Sequence, residues 1–166
     1  AFGVTEPGSG TDTSRIRTTA VRDGDDYVVN GQTVFISRTE HSDLMVLLVR
    51  TSPRPERGSH TDGMSVLLVD LRAAIGKGLT IRPIDTMMNH ATTELFFDAL
   101  RVPATNLIGR EGDGFRCILD GMNAERILIA AERIGDASWF TAKSSGYDRK
   151  REVFGRPNCA NTGGQL

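Results

Sequence analysis

The chain has 166 residues, of which 39% are hydrophobic and 25% are charged, and its formal net charge at pH 7 is −1. This length accommodates one domain, or one domain and part of a second. The nearly neutral charge gives no electrostatic reason to expect nucleic acid or an anionic membrane as a partner, and the apolar runs are too short to span a bilayer.

The first feature in chain order is a loop over residues 4–12, with the sequence VTEPGSGTD. It has no helical or strand period, Pro7 fixes one φ angle, and Gly8 and Gly10 permit unusual backbone conformations. Such a loop can turn several N–H groups toward one concavity, which suits a phosphate or the edge of an electron-rich ring. The alternative, a tight surface turn, is favoured when the loop is considered alone. A dinucleotide-binding fingerprint is excluded, because Thr13 stands where its third glycine belongs.

Strand signals follow from residue 15 to about residue 100. Asp23-Gly24-Asp25 is a turn, Asn30-Gly31 is a strong hairpin dipeptide, and residues 52–62 form an exposed loop. Short strands with a turn about every ten residues predict an antiparallel barrel or sandwich, which we assign to residues 1–105. The candidate strands are residues 16–21, 27–29, 33–37, 44–49, 64–69, 79–84 and 94–97.

After Val102-Pro103 the pattern becomes helical, from residue 115 to about residue 147, and residues 154–157 (FGRP) are predicted to stop the helix. Its apolar face is wide, so it needs other helices to cover it. We therefore predict an α+β chain in which residues 106–166 begin an α-helical bundle. The residues that share the face are Phe115, Ile118, Met122, Glu125 and Ile129, with Ile127, Ala131, Ile134 and Ala137 on an adjacent stripe.

Glu125 is the one carboxylate on this face. A carboxylate on an apolar helix stripe either pairs with a cation, such as a nearby arginine, or serves as a base whose pKa is raised by its surroundings. The pattern alone favours the structural ion pair.

Four separated segments resemble the acyl-CoA dehydrogenase family, from inside its middle β domain to the first helices of its C-terminal bundle. They occur in the family's order and at family-like spacing, and they cover nearly all of the chain. The segments are residues 4–12; Asn30-Gly31-Gln32 with Phe35-Ile36-Ser37; residues 94–98 with Arg101-Val102-Pro103; and Asn123-Ala124-Glu125-Arg126 with Arg151 and residues 154–157.

The resemblance implies FAD as the cofactor. It places Thr5 and the neighbouring amides at the pyrimidine edge of the flavin, Gly10 and Thr11 at the pyrophosphate, and Phe35 over the ring, where the family usually has tryptophan. It also implies that Ser37 lies beside the flavin N5 atom, and that Arg151 and Phe154 reach the flavin of a neighbouring subunit. The implied cofactor-binding set is Val4, Thr5, Gly10, Thr11, Phe35, Ile36, Ser37, Arg151 and Phe154.

Each of these residues also has an ordinary structural interpretation. Phe35 could be a core aromatic and Ser37 a turn residue at a strand end. Arg151 could be a solvated charge and Phe154 a packing residue at the helix end. His90, where many relatives carry arginine, is interpreted as a structural residue.

For the substrate, the resemblance assigns Thr11, Asn123 and Arg126 to the acyl-CoA, with Asn123 replacing a common aspartate. Glu125 matches the catalytic base of a minority of the family, whereas most members carry that base further downstream. The resemblance favours Glu125 as the base. Asn161-Thr162 departs from the family's usual Asn-Gln, and we assign no metal ligands.

The reaction implied is the α,β-dehydrogenation of an acyl-CoA thioester to a trans-2-enoyl-CoA in fatty acid β-oxidation, with hydride transfer to flavin N5. The implied partners are an electron-transferring flavoprotein and further copies of the chain, as a homodimer or homotetramer. Cys117 and Cys159 suggest no disulfide framework, and no signal peptide is evident. We therefore expect a cytoplasmic protein, or a matrix protein in mitochondria. The chain starts at Ala1 within the loop, so we expect further sequence upstream.

Two alternatives remain. One is an acyl-CoA oxidase or flavin monooxygenase of the same fold. The other is a non-catalytic β-barrel that binds a ligand or partner without flavin.

Overall fold

The computed structural model describes residues 1–87 and 91–161. The chain forms two compact units, Ala1–Asp120 and a second that starts at Gly121; we call them the β unit and the helical unit. Two α-helices are present in the described residues, α1 (Leu71–Ala74) and α2 (Gly114–Lys150), and α2 starts in the β unit and continues in the helical unit. Neither is long and apolar enough to cross a membrane.

An eight-stranded sheet forms the β unit. Its strands are β1 (Phe2–Gly3), β2 (Thr19–Asp23), β3 (Asp26–Ser37), β4 (Leu44–Arg50), β5 (Met64–Asp70), β6 (Leu79–Pro83), β7 (Thr92–Pro103) and β8 (Leu107–Ile108). Their order in the sheet is β6-β7-β3-β2-β4-β5-β8, with β1 beside β4. Short 3₁₀ helices cover Thr13–Arg15, Thr39–His41, Ala104–Asn106 and, in the helical unit, Asn158–Ala160.

The predicted α+β class is confirmed, with one correction to the sheet. Strand pairs are antiparallel apart from short parallel contacts of β4 with β1 and β2. A closed barrel would require the edge strands β6 and β8 to pair, and over residues 1–87 and 91–161 they do not. The sheet is therefore open.

The prediction of a hairpin at Asn30-Gly31 is wrong, because both residues lie inside the continuous strand β3. The Asn30 side chain instead accepts a hydrogen bond from the Ala99 N–H, at 2.8 Å. Gly31 has φ +149°, and a Cβ there would lie 2.7 Å from the Thr18 Cα, so the position requires glycine. The turn predicted at Asp23-Gly24-Asp25 is confirmed and joins β2 to β3.

The core of the β unit is made by inward-facing residues of its strands. The predicted apolar strands 44–49 and 64–69 are confirmed as β4 and β5, which pair along their whole length. Each fully buried aliphatic side chain contributes about 1.5–3 kcal/mol from the hydrophobic effect. Core residues with almost no exposed surface include Tyr27, Val29, Met45, Leu47, Val49, Leu67, Leu79, Leu95 and Leu100.

In the helical unit, α2 ends at Lys150, slightly before the predicted stop, and a small hairpin follows. Its strands are β9 (Glu152–Val153) and β10 (Arg156–Pro157). The turn residues Phe154 and Gly155 have φ of 55° and 71°, as a two-residue turn with both φ angles positive requires. The Asn158 N–H donates to the Arg151 carbonyl at 2.7 Å, and its side chain donates to Asp148 at 2.8 Å. The hairpin is thereby fixed to the end of the helix.

The apolar stripe predicted on α2 is buried only at its start. Ile118 is buried and Phe115 is half-buried. Further along, Ile134 is 70% exposed, and Trp139 and Phe140 contact each other edge to face while remaining exposed. Exposed apolar groups in such a row are typical of a surface that contacts something else.

Candidate functional site

The loop over residues 4–12 is joined to β3 at Val34. The Val34 N–H donates to the Thr5 carbonyl at 2.8 Å, and the Thr5 hydroxyl donates back to the Val34 carbonyl. This places the loop directly beside Phe35, the next residue of β3. Two segments that the sequence separates by some thirty residues therefore meet in one place.

The loop turns back on itself between Glu6 and Ser9, whose main chains exchange hydrogen bonds of 2.9 and 3.0 Å. The buried Glu6 carboxylate accepts from the N–H groups of Arg17 and Thr18, at 2.8 and 2.7 Å. Charge-assisted bonds of this kind are roughly twice as strong as neutral ones. Glu6 thus fixes the loop to the segment that leads into β2. Sequence analysis did not identify this role, because a loop without a period gives no sign that one side chain is buried.

Arg50 holds the other side of the same segment. It is buried at the end of β4, and its guanidinium donates to the carbonyls of Ile16, Ser14, His60 and Asp62 at 3.1, 2.7, 2.9 and 3.3 Å. Burial lowers the pKa of Arg50 from its ordinary value. Sequence analysis also missed this residue. Its only signal is a charge that ends an apolar strand run.

The outer side of the loop is open. In the part of the chain that the structure describes, the N–H groups of Gly10 and Thr11 donate to no protein group. A Cβ built on Gly8 or Gly10 would meet no heavy atom within 4 Å. The loop can therefore present main-chain donors to an anion or a ring edge. The neighbouring Asp12 has a pKa below its usual value, because the Ser14 hydroxyl donates to its charged form.

Phe35 is held in a strained and exposed conformation. It has φ 60°, and the pairing of β3 with β7 shifts register between Thr33 and Ile36. A left-handed conformation costs a residue other than glycine roughly 1–2 kcal/mol, and such strain clusters at functional sites. The Phe35 side chain is 65% exposed, so it is not a core aromatic. Ile36 points into the core, so it could contact a ligand only through its main chain; Ser37 is exposed at the strand end.

On α2, three predicted site residues lie within one turn. The Arg126 guanidinium donates to the Asn123 side-chain oxygen at 2.9 Å. Glu125 is exposed and forms no ion pair with any residue in the described ranges. The alternative in which Glu125 pairs with an arginine is therefore not observed there.

Arg151 and Phe154 lie at the end of α2 and in the hairpin turn. Phe154 has φ 55° and is 93% exposed, so it is not a packing residue of the helix end in this chain. Like Phe35, it combines a strained backbone with an exposed ring. Arg151 is also exposed. His90 and Thr162 lie outside the described residues.

Comparison with known proteins identifies the family. Residues 1–100 match the family model described as "Acyl-CoA dehydrogenase, middle domain". The chain belongs to the acyl-CoA dehydrogenase family. The resemblance read from the four sequence segments is thereby confirmed.

Individual acyl-CoA dehydrogenases agree with this assignment. An acyl-CoA dehydrogenase of Bacillus subtilis is 36% identical over 98% of this chain and 42% of its own length. The crystal structure of the acyl-CoA dehydrogenase from Geobacillus kaustophilus superposes with a TM-score of 0.85 at 35% identity, over 99% of this chain and 43% of that one.

A third match comes from a structure described as the electron transferring flavoprotein of Acidaminococcus fermentans. It has a TM-score of 0.79 at 33% identity, over 99% of this chain and 42% of that one. This chain thus spans about two fifths of the length of each of these three proteins.

Proposed function

We propose that the protein carrying this chain is a FAD-dependent acyl-CoA dehydrogenase that converts an acyl-CoA thioester to a trans-2-enoyl-CoA. One observation carries the proposal. The paired hydrogen bonds between Thr5 and Val34 bring the loop that carries the open main-chain donors beside Phe35, whose backbone is strained and whose ring is exposed. Residues 1–105 would form the middle β domain of the enzyme, and residues 106–166 would begin its C-terminal helical domain.

The residues of the β unit fit a flavin. Val4 and Thr5 would contact the edge of the ring through their main chain, because the Thr5 hydroxyl is already bonded to Val34. The free N–H groups of Gly10 and Thr11 would bind the pyrophosphate, where the open space beside Gly10 admits oxygen atoms. Phe35 would cover one face of the ring, with the Ile36 main chain and the Ser37 hydroxyl at its edge. FAD, when bound, supplies the hydride acceptor for the reaction.

The residues of the helical unit would act on the substrate. Glu125 would accept the α-proton of the acyl thioester, a role that needs a carboxylate free of other cations. Asn123 and Arg126, bonded to each other, would bind the acyl-CoA together with Thr11 of the loop. The α-proton is weakly acidic, so the assembled site must exclude water from the base and stabilise the enolate-like thioester.

Arg151 and Phe154 would contact the FAD of a neighbouring subunit in a homodimer or homotetramer. Their exposure in this chain supports that role, since both side chains are free to reach another molecule. An electron-transferring flavoprotein would accept the electrons, and β-oxidation in the cytoplasm or mitochondrial matrix would be the setting.

Anaerobic titration of the full-length natural protein tests the proposal. We expect a purified yellow protein whose flavin absorbance is bleached by a matching acyl-CoA, with trans-2-enoyl-CoA as the product. Rapid reoxidation of the bleached flavin by oxygen would instead identify an oxidase or monooxygenase of this fold. A colourless protein that takes up no FAD would contradict the proposal and leave a non-catalytic binding module.

A further inference from the structure

The end of β3 carries two residues with a left-handed backbone, on either side of Ile36 and Ser37. Phe35 and Arg38 both have φ 60°, a conformation that is unfavourable for any residue other than glycine. Such a conformation persists only where the surrounding structure holds it. The residues that hold this segment lie outside the proposed flavin-binding set.

A buried hydroxyl of β7 is bonded to this segment. Thr93 pairs with Ile36 just after the register shift between β3 and β7, and it has no exposed surface. Its Oγ1 atom lies 2.9 Å from the Ile36 carbonyl oxygen and 2.9 Å from the Thr39 Oγ1 atom. A carbonyl can only accept, so Thr93 donates its single proton to Ile36, and the Thr39 hydroxyl supplies the proton of the other bond. A chain of hydrogen bonds therefore runs from Thr39 through Thr93 to Ile36.

Thr39 reaches this position because the chain turns back at Arg38. The left-handed Arg38 precedes the 3₁₀ helix Thr39–His41, and its N–H donates to the Ala91 carbonyl at 2.9 Å. Thr39 itself is buried. The segment from residue 36 to residue 38 is thus bonded to residues 91 and 93, at the start of β7. Hydrogen bonds that are linked in a dry interior strengthen one another, so the loss of one hydroxyl weakens the whole arrangement.

A second buried threonine of the same strand pair provides a contrast. Thr33 lies on β3 opposite Leu95, at the other side of the register shift. It is also buried, but its hydroxyl has no hydrogen-bond partner within residues 1–87 and 91–161. Burying a hydroxyl without a partner is unfavourable, whereas the hydroxyl of Thr93 is satisfied. Of these two threonines, it is Thr93 that is bonded to the segment with the proposed flavin contacts.

We propose that Thr93 is a positioning residue for the proposed flavin site, and that Thr39 supports it. By holding the Ile36 carbonyl, Thr93 keeps the backbone on both sides in one conformation, with Phe35 and Ser37 exposed to a ligand. A site that already has its binding conformation binds more tightly than one that must first adopt it. The identity of the ligand as FAD rests on the proposed function, whereas the holding of the segment by Thr93 does not.

NMR of the 166-residue chain tests the holding role without flavin. The measured signals are the Cα and Cβ shifts of Phe35 and Arg38, which report their left-handed backbone. Thr93→Val keeps the shape of the side chain but removes the hydroxyl, so these shifts should move toward those of an ordinary extended backbone. Thr93→Ser keeps the hydroxyl and should restore them. Thr33→Val is the matched control and should leave them as in the parent, because the hydroxyl it removes is bonded to no described residue.

Titration of the full-length protein with FAD tests the functional role. Thr93→Val should weaken FAD binding by about twofold to tenfold, the loss that one neutral hydrogen bond implies, and should alter the flavin absorbance spectrum. Thr93→Ser and Thr33→Val should both bind FAD nearly as the parent does. Thr39→Val removes the supporting bond and should give a smaller effect of the same kind. It also provides the test if Thr93→Val does not fold.

Parent-like shifts of Phe35 and Arg38 in folded Thr93→Val and Thr39→Val would overturn the proposal, as would unchanged FAD binding and spectrum in both. An effect of Thr33→Val as large as that of Thr93→Val would also overturn it, because any change in a buried threonine of these strands would then suffice. A parent protein that takes up no FAD would instead overturn the proposed function. The NMR comparison would still decide whether Thr93 holds the segment.

Discussion

The β unit and the helical unit hold their site residues in different ways. In the β unit, the buried Glu6 carboxylate fixes the loop to the segment that leads into β2, and buried Arg50 holds that segment in turn. In the helical unit, Glu125 sits on a helix whose later apolar residues, such as Ile134, are exposed. A helix segment whose apolar side chains are exposed is held mainly by its own main-chain hydrogen bonds. The proposed flavin-binding residues of the β unit are therefore held by contacts within this unit, whereas the proposed substrate-binding residues on α2 would depend on contacts that cover the helix.

The substitution with the largest expected effect removes the base proposed in the helical unit and leaves the β unit unchanged. Glu125→Gln in the full-length protein keeps the size of the side chain but removes the proton acceptor. Anaerobic bleaching of the flavin by acyl-CoA should slow by roughly a hundredfold to ten-thousandfold, as is typical of losing a general base. Glu132→Gln, on the same helix, is the control and should bleach at nearly the parent rate. Fast bleaching in a well-folded Glu125→Gln protein would place the base elsewhere.

Two separate alanine substitutions compare how tightly side chains are packed in the two units. Leu47 is fully buried in the β unit, so Leu47→Ala should lower the free energy of unfolding of the chain by about 2–5 kcal/mol. Ile134→Ala, on the exposed face of α2, should change it by less than about 0.5 kcal/mol. Urea denaturation of the 166-residue chain measures both. An equal loss in the two variants would mean that α2 is packed as tightly as the sheet.

Arg151→Ala sharpens the comparison, because it tests whether the helical unit contributes to the cofactor. Removing a charge-assisted contact to phosphate should weaken FAD binding in the full-length protein by about tenfold to hundredfold. Arg149→Ala removes a neighbouring exposed arginine and should leave the dissociation constant nearly unchanged. If both variants bind FAD as the parent does, Arg151 is a solvated charge.

Phe35→Ala carries the smallest expected effect on stability. The ring is exposed, so the melting temperature should change little, whereas loss of a core aromatic costs about 3–5 kcal/mol. The flavin absorbance spectrum of the full-length variant should shift, because the ring loses its aromatic neighbour. A large drop in melting temperature with an unaltered spectrum would reverse this interpretation of Phe35.

The secondary structure could be predicted where a period is strong, and the exceptions have physical causes. The apolar runs of β4 and β5 and the helical period of α2 were sufficient to place those elements. The hairpin predicted at Asn30-Gly31 is wrong because the backbone there approaches Thr18, a long-range contact that cannot be inferred from a dipeptide. Whether the two edge strands β6 and β8 pair likewise depends on how strands far apart in the sequence meet.

Some residues of the candidate site could likewise be predicted from the sequence, and others could not. The loop and Phe35 could be chosen from motifs, but their meeting point at Val34 arises only from folding. Glu6 and Arg50 could not be found, because burial of a single charge in a loop or at a strand end leaves no periodic trace. Their roles depend on main-chain groups that any residue could supply.

The hydrogen bonds of Arg50 have a consequence for limited proteolysis. The exposed loop between β4 and β5 contains Arg57, which a trypsin-like protease can reach. Cleavage there would leave the seven residue pairs of β4 and β5 intact, and the Arg50 side chain would still hold the carbonyls of His60 and Asp62 on the far side of the cut. The nicked chain should run as two fragments in denaturing electrophoresis yet elute as a single species in gel filtration.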